Sequence, residues 1–171
     1  RQLAPLRDQR VVCTRIRHHG DFHLGHLQFT GNDVMIMDFD GDVSRPMSER
    51  RIKRSALRDV ASMIRSFNYI SFAVLFGQVP GIVLGAEPRP QLENWARAWR
   101  KWTSAVFLKS YLDAAGRVEF VPQTQTERRV LLRSYLIEKC LFEINFELEY
   151  RLDWVRIPVN GVLELLRASD S

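Results

Sequence analysis

The sequence predicts one mainly α (α+β) domain of about four helices and a small two-stranded β-hairpin. Three observations carry that expectation. Apolar residues recur at helical spacing at Leu57, Val60, Ala61, Ile64, Phe67 and Ile70. Thr124-Gln125-Thr126-Glu127 offers an N-cap ahead of a long helical stretch. Two short apolar segments, each ending in an acidic cluster, flank a turn around Gly31-Asn32-Asp33.

The elements follow in order. Residues 1–12 read as the tail of a helix or a loop. Thr14-Arg15-Ile16-Arg17 alternates and leads into the first acidic cluster, and a buried-looking strand over residues 34–37 leads into the second. Residues 44–55, polar and Arg-rich with Pro46, predict a loop. A helix over 55–76 is apolar almost all round toward its end, which predicts burial at the centre of the domain. Residues 77–90 read as a loop punctuated by Pro80-Gly81 and Pro88. A second amphipathic stripe runs through Leu92, Trp95, Ala96, Trp99, Trp102, Val106 and Phe107 and ends near Gly116; its tryptophans are expected to face the core. Residues 118–121 predict a short extended piece. The long helix runs from Thr124 to about Leu152, and the last begins at Pro158, a suitable first-turn residue, and reaches Arg167.

Composition narrows the function classes. Charged residues make up 26% of the 171 and apolar residues 46%, within the range of ordinary globular domains. The net charge of +5 suits an anionic small molecule, whereas nucleic-acid binding calls for a larger basic stripe or basic residues interleaved with exposed aromatics. Cys13 and Cys140 lack a metal-type spacing and read as free buried thiols of a reducing, cytoplasmic compartment. No apolar run is long enough to cross a bilayer. The chain opens on Arg1, so it reads as a piece of a longer protein.

The stretch from His18 to Asp42 carries the chemistry. Strands that deliver Asp21 and Asp38 to one end set two carboxylates side by side, where a divalent cation can be shared. One acid then accepts the proton of an attacking hydroxyl while the other holds the metal that neutralises phosphate charge. The runs His19-Gly20-Asp21-x-His23-x-Gly25 and Asp38-Phe39-Asp40-Gly41 resemble the aminoglycoside-phosphotransferase branch of the protein-kinase-like fold, and within it the maltokinases, often fused to trehalose synthase. Arg45-Pro46, Glu49-Arg50-Arg51, residues 57–67 and Asp153-Trp154-Val155-x-Ile157-Pro158 extend the resemblance over nearly the whole chain.

The resemblance implies residues 1–171 as the C-terminal lobe of a kinase-like fold, without its N-terminal lobe. It implies ATP as co-substrate, Mg²⁺ or alternatively Mn²⁺, and transfer of phosphate to the anomeric hydroxyl of maltose, giving maltose 1-phosphate. Asp21 is then the catalytic base. Asp38 is the metal ligand, with Asp40 a second ligand or merely a repelling neighbour, and Asp42 solvated. His26 stands where the family places Asn or Gln as a second ligand; an imidazole suits Mn²⁺ or Zn²⁺ better than Mg²⁺, and the other reading is a hydrogen bond within the loop. His19 braces the catalytic loop, and Asp59 accepts hydrogen bonds from that loop's backbone or is a plain first-turn acid. A zinc cluster of His19, His23 and His26 is the lesser reading.

On the long helix, Tyr135, Lys139, Phe142, Glu143, Phe146 and Tyr150 share an arc of roughly 100°. Aromatic rings beside hydrogen-bonding charges suit a sugar, so Tyr135, Lys139, Glu143 and Phe146 are candidate substrate residues; the other reading is a core-facing stripe with an internal Lys139–Glu143 pair. Arg50-Arg51-x-Lys53-Arg54 draws anions in or forms a solvated face. Two further functions compete with the kinase: a non-catalytic interaction lobe attached to trehalose synthase, and a metallophosphoesterase suggested by Gly20-Asp21-x-His23. The latter lacks the Asp-x-His and Gly-Asn-His runs that such enzymes need.

Overall fold

In the computed structural model, which describes residues 11–77, 79–82, 85 and 89–167, two short strands and five helices follow one another. A 3-10 turn (Leu24–His26) leads into β1 (Leu27–Phe29), which pairs antiparallel with β2 (Val34–Ile36) in the register Leu27↔Ile36. Then come α1 (Met47–Arg50), α2 (Leu57–Leu75), α3 (Arg89–Ala115), α4 (Gln125–Tyr150), a second 3-10 turn (Leu152–Trp154) and α5 (Arg156–Arg167). The expectations for residues 1–10, and for much of the loop around Pro88, lie outside the described residues.

Helix α2 is the centre of the domain because its apolar side chains have neighbours on more than one side. Leu57, Val60, Ala61 and Met63 are all but fully buried, and a buried Leu or Met contributes roughly 1.5–3 kcal/mol. Helix α4 runs against α2, α5 closes on α4 through Ile157 and Pro158, and α3 packs on α2. Thr124 caps α4: its hydroxyl accepts from the Glu127 N–H at 3.2 Å, and the Glu127 carboxylate accepts in turn from the hydroxyl at 2.6 Å.

Five local expectations change. The loop expected over residues 44–55 contains the one-turn helix α1. The strand that pairs with residues 34–36 follows the first acidic cluster and does not precede it; Ile16 instead makes an isolated bridge with Arg54. The hairpin is exposed on both strands, since no second layer covers it. Residues 118–121 form a turn closed by Val121 N–H to Val118 C=O, ahead of the buried Pro122. On α3, Trp95, Trp102 and Val106 are largely exposed; one helical neighbour covers only part of a wide apolar arc, and Trp99 and Phe107 at its edge are what reach Phe67.

Candidate active site

The loop that carries Asp21 is fixed from beneath by α2. Asp59, in its first turn, accepts the His19 N–H at 2.6 Å and the Gly20 N–H at 3.0 Å, one on each carboxylate oxygen. From above, the loop meets the second acidic cluster: Gly20 has φ +89°, and a Cβ there would sit 3.1 Å from the Gly41 Cα, so only glycine allows this approach. His19 is buried between the two; its Nε2–H donates to the Met37 carbonyl at 2.8 Å, and its ring packs on Phe39. Arg58 ties the start of α2 to Glu138 of α4 and to His18.

These supports bring Asp21, His26 and Asp38 together. The His26 Nδ1 bonds the Asp21 carbonyl at 2.8 Å, and its Nε2 lies 3.3 Å from a carboxylate oxygen of Asp38. Asp38 is the one non-glycine residue with positive φ among the described residues, +63°, a conformation that Asp tolerates better than most. His23 Nε2 lies 3.4 Å from the Asp21 carboxylate and Lys139 Nζ 3.6 Å from its other oxygen. Burial alone would raise the Asp21 pKa, but the His23 hydrogen bond and the charges of Lys139 and the histidines outweigh it and hold the acid at about 2.

Hydrogen-bond roles sort the histidines. A carbonyl only accepts, so His26 donates from Nδ1 and its Nε2 keeps a lone pair, unless a proton is shared with Asp38. His23 Nδ1 accepts the Gly25 N–H at 3.0 Å and so carries its proton on Nε2, toward Asp21. His19 has both nitrogens engaged, Nε2 by Met37 and Nδ1 by the Asp21 N–H. Asp21, His23 and His26 offer ligand atoms within 4.8 Å of one another, yet only His26 has a nitrogen free to face a metal.

The remaining expected residues separate. Asp40 is exposed; the chain reverses after Asp38, the Asp40 carbonyl accepts from Arg50, and no hydrogen bond or ion pair ties its carboxylate to the cluster. Asp42 is not solvated: its side chain keeps 13% of its surface, accepts from Ser44 and faces the same cleft as Asp21. The cleft, about 410 Å³, is lined by Asp21, Lys139, Phe142, Glu143, Phe146 and Trp154 among others. Tyr135 lies outside it, in a small crevice beside Gly20 and Arg58, because it stands a full helical turn before Lys139. Of the basic run, Arg50 packs under Gly41 and Arg54 bridges Ile16.

The charge pairs of the cleft wall escaped the sequence. Glu143 pairs with Arg65 of α2 and not with Lys139: one of its oxygens accepts from Arg65 Nε at 2.9 Å and NH2 at 2.7 Å, while the other accepts no hydrogen bond from a described residue. Burial alone would lower the Arg65 pKa; the Glu143 carboxylate reverses that and raises it. Glu147, 1% exposed, holds Arg151 through two bonds and Tyr69 through one. The available signal was an Arg inside the apolar run of α2, opposite an acid at the cleft-facing arc of α4. Burial pushes the nearby Cys140 thiol up to about 11, which leaves it inert.

No protein-family model matches the chain. A glucosamine kinase of Streptacidiphilus jiangxiensis is 26% identical over 148 residues, 86% of this chain and 31% of that protein. A solved structure described as glucosamine kinase in complex with glucosamine, ADP and inorganic phosphate superposes with a TM-score of 0.70 at 25% identity, covering 89% of this chain and 36% of that one. A glucosamine kinase in crystal form A gives a TM-score of 0.68 at 24% identity, over 90% of this chain and 35% of that one. The chain thus spans about a third of the length of these relatives. Its architecture is that of a kinase-like C-terminal lobe, mainly helical with a two-stranded antiparallel sheet. These relatives are named for glucosamine, a different sugar from the maltose that the sequence resemblance implies. No helix among the described residues is long and apolar enough to cross a membrane.

Proposed function

We propose that this chain supplies the catalytic loop, metal ligands and sugar cleft of an ATP-dependent sugar kinase. The observation that carries the reading is that Asp21 lines a cleft walled by Lys139, Glu143 and Phe146 while His26 links its backbone carbonyl to the Asp38 carboxylate. Asp21, ionised at any working pH, orients a sugar hydroxyl and takes its proton late, as a loose phosphoryl-transfer transition state requires of a weak base. Lys139 and His23 hold that carboxylate in place from either side.

A divalent metal fits between His26 and Asp38. Two acceptor atoms 3.3 Å apart, an imidazole lone pair and a carboxylate oxygen, repel unless a proton or a metal cation joins them, and the His26 N–H bond to a backbone carbonyl is the usual support of a metal-binding imidazole. When bound, the metal neutralises charge on the nucleotide phosphates. The mixed nitrogen–oxygen donor set favours Mn²⁺ over Mg²⁺.

For the acceptor, the unclaimed Glu143 oxygen and Asp42 offer carboxylates to an amino sugar, in line with the glucosamine kinases that the chain is similar to. Maltose, phosphorylated at its anomeric hydroxyl, is the reading of the sequence resemblance, and the rings of Phe142 and Phe146 support it. The test uses the full-length polypeptide with ATP and Mn²⁺ or Mg²⁺, assaying glucosamine and maltose side by side for phosphorylated product. The expected result is turnover of one of them that falls by about 10²–10⁴-fold in Asp21→Asn. Turnover of neither, or an unchanged rate in Asp21→Asn, overturns the reading and leaves a non-catalytic lobe.

A further inference from the structure

Helix α2 has a second concave side. At about 100° per residue, Ile64 and Asn68 lie roughly opposite the cleft-lining Ser62, Ser66 and Ala73. There α2, α3 and α5 diverge and leave a groove of about 630 Å³, larger than the catalytic cleft. Its floor is apolar, from Ile64, Leu136 and Leu165.

Two features of the groove call for a ligand. Arg97 and Lys101 of α3 and Arg167 of α5 converge on it, and none of the three forms an ion pair with a described residue. The carboxylate among the lining residues, Glu164, is already bridged to Arg100 at 2.7 Å. Beside them Asn68 is 3% exposed, and its side-chain oxygen has no hydrogen-bond partner. A buried amide oxygen left unpaired costs about 1–3 kcal/mol, so the site gains from a donor.

We infer that this groove is a second ligand site, for a sugar phosphate: the phosphate bridges Arg97, Lys101 and Arg167, a ring hydroxyl donates to Asn68, and the apolar ring face rests on Ile64 and Leu165. Guanidinium groups match phosphate oxygens in charge and geometry, and a neutral sugar would leave the three cations of the lining without a counter-charge. The inference stands apart from the catalytic reading, since none of these residues lines the cleft.

Isothermal titration of glucose 6-phosphate into the full-length polypeptide tests it, with glucose and inorganic phosphate as controls. The expected result is saturable binding of glucose 6-phosphate, no binding of glucose, and at least tenfold weaker binding of inorganic phosphate. Arg97→Ala with Lys101→Ala should weaken the binding of glucose 6-phosphate at least tenfold with basal activity and melting temperature retained, because both side chains are exposed. Lys139→Ala, in the catalytic cleft, should leave it within twofold. The reverse pattern, inorganic phosphate bound equally well, or no binding of glucose 6-phosphate at millimolar concentration overturns the inference.

Discussion

Helices α3 and α4 are nearly equal in length, 27 and 26 residues, yet the chain uses them in opposite ways. Helix α4 is held by α2 on one side and α5 on the other, and it buries charge: Glu143 and Glu147 lie inside with cations attached. Helix α3 rests mainly on α2 and exposes apolar surface, with Trp95 and Trp102 at 67% and 74%. Residue type alone therefore does not decide what is inside. Neighbours on two sides bury even a glutamate once its charge is answered, and a helix with one main neighbour leaves tryptophan in water.

The sharpest way to break the contrast is to remove the charge answer on α4. Arg65→Met leaves Glu143 buried and unpaired and should destabilise the fold by about 3–5 kcal/mol, read by urea unfolding, whereas Arg65→Met with Glu143→Met should recover most of the loss. A destabilisation below about 1 kcal/mol would mean that the interior of α4 is wetter than its burial indicates.

A smaller effect tests the Asp21 edge of the same region. The Asp21 pKa is depressed in the folded state, so its contribution to stability is complete above the unfolded value near 4 and is lost as pH falls toward about 2. Replacing Lys139 by Met should lower stability at neutral pH and flatten the slope of stability against pH between about 4 and 2. An unchanged slope would assign the depression to the histidines alone. The smallest effect belongs to α3: Trp102→Gln should change stability by no more than about 0.5 kcal/mol. A larger loss would show that α3 is more deeply packed than its exposure indicates.

The same contrast explains what the sequence disclosed. Helices α2 and α4 were legible because period, cap and punctuation are local properties, and the Thr124 cap lies where its spacing put it. The contact of Asp59 with the loop backbone was one of the two readings its first-turn position allowed, and its carboxylate accepts the His19 and Gly20 N–H groups. What stayed hidden is decided by partners far along the chain. Arg65 and Glu143 are 78 residues apart, and an Arg within an apolar run signals a buried partner without saying which acid supplies it. The Trp95–Val106 stripe has the spacing of a core face, and spacing cannot say how many neighbours will come to cover it. The hairpin partner of residues 34–36 was misplaced because the alternating 14–17 segment carries the same signal as a paired strand.

The chain has four tryptophans, three on α3 and the fourth, Trp154, at the wall of the cleft with the Arg151 guanidinium 4.7 Å from its ring centroid. A form with phenylalanine at positions 95, 99 and 102 would therefore keep a single tryptophan, beside the cleft. Sugar entering there would register as a change in its intensity, while an occupant of the groove behind α2 would leave that signal dark.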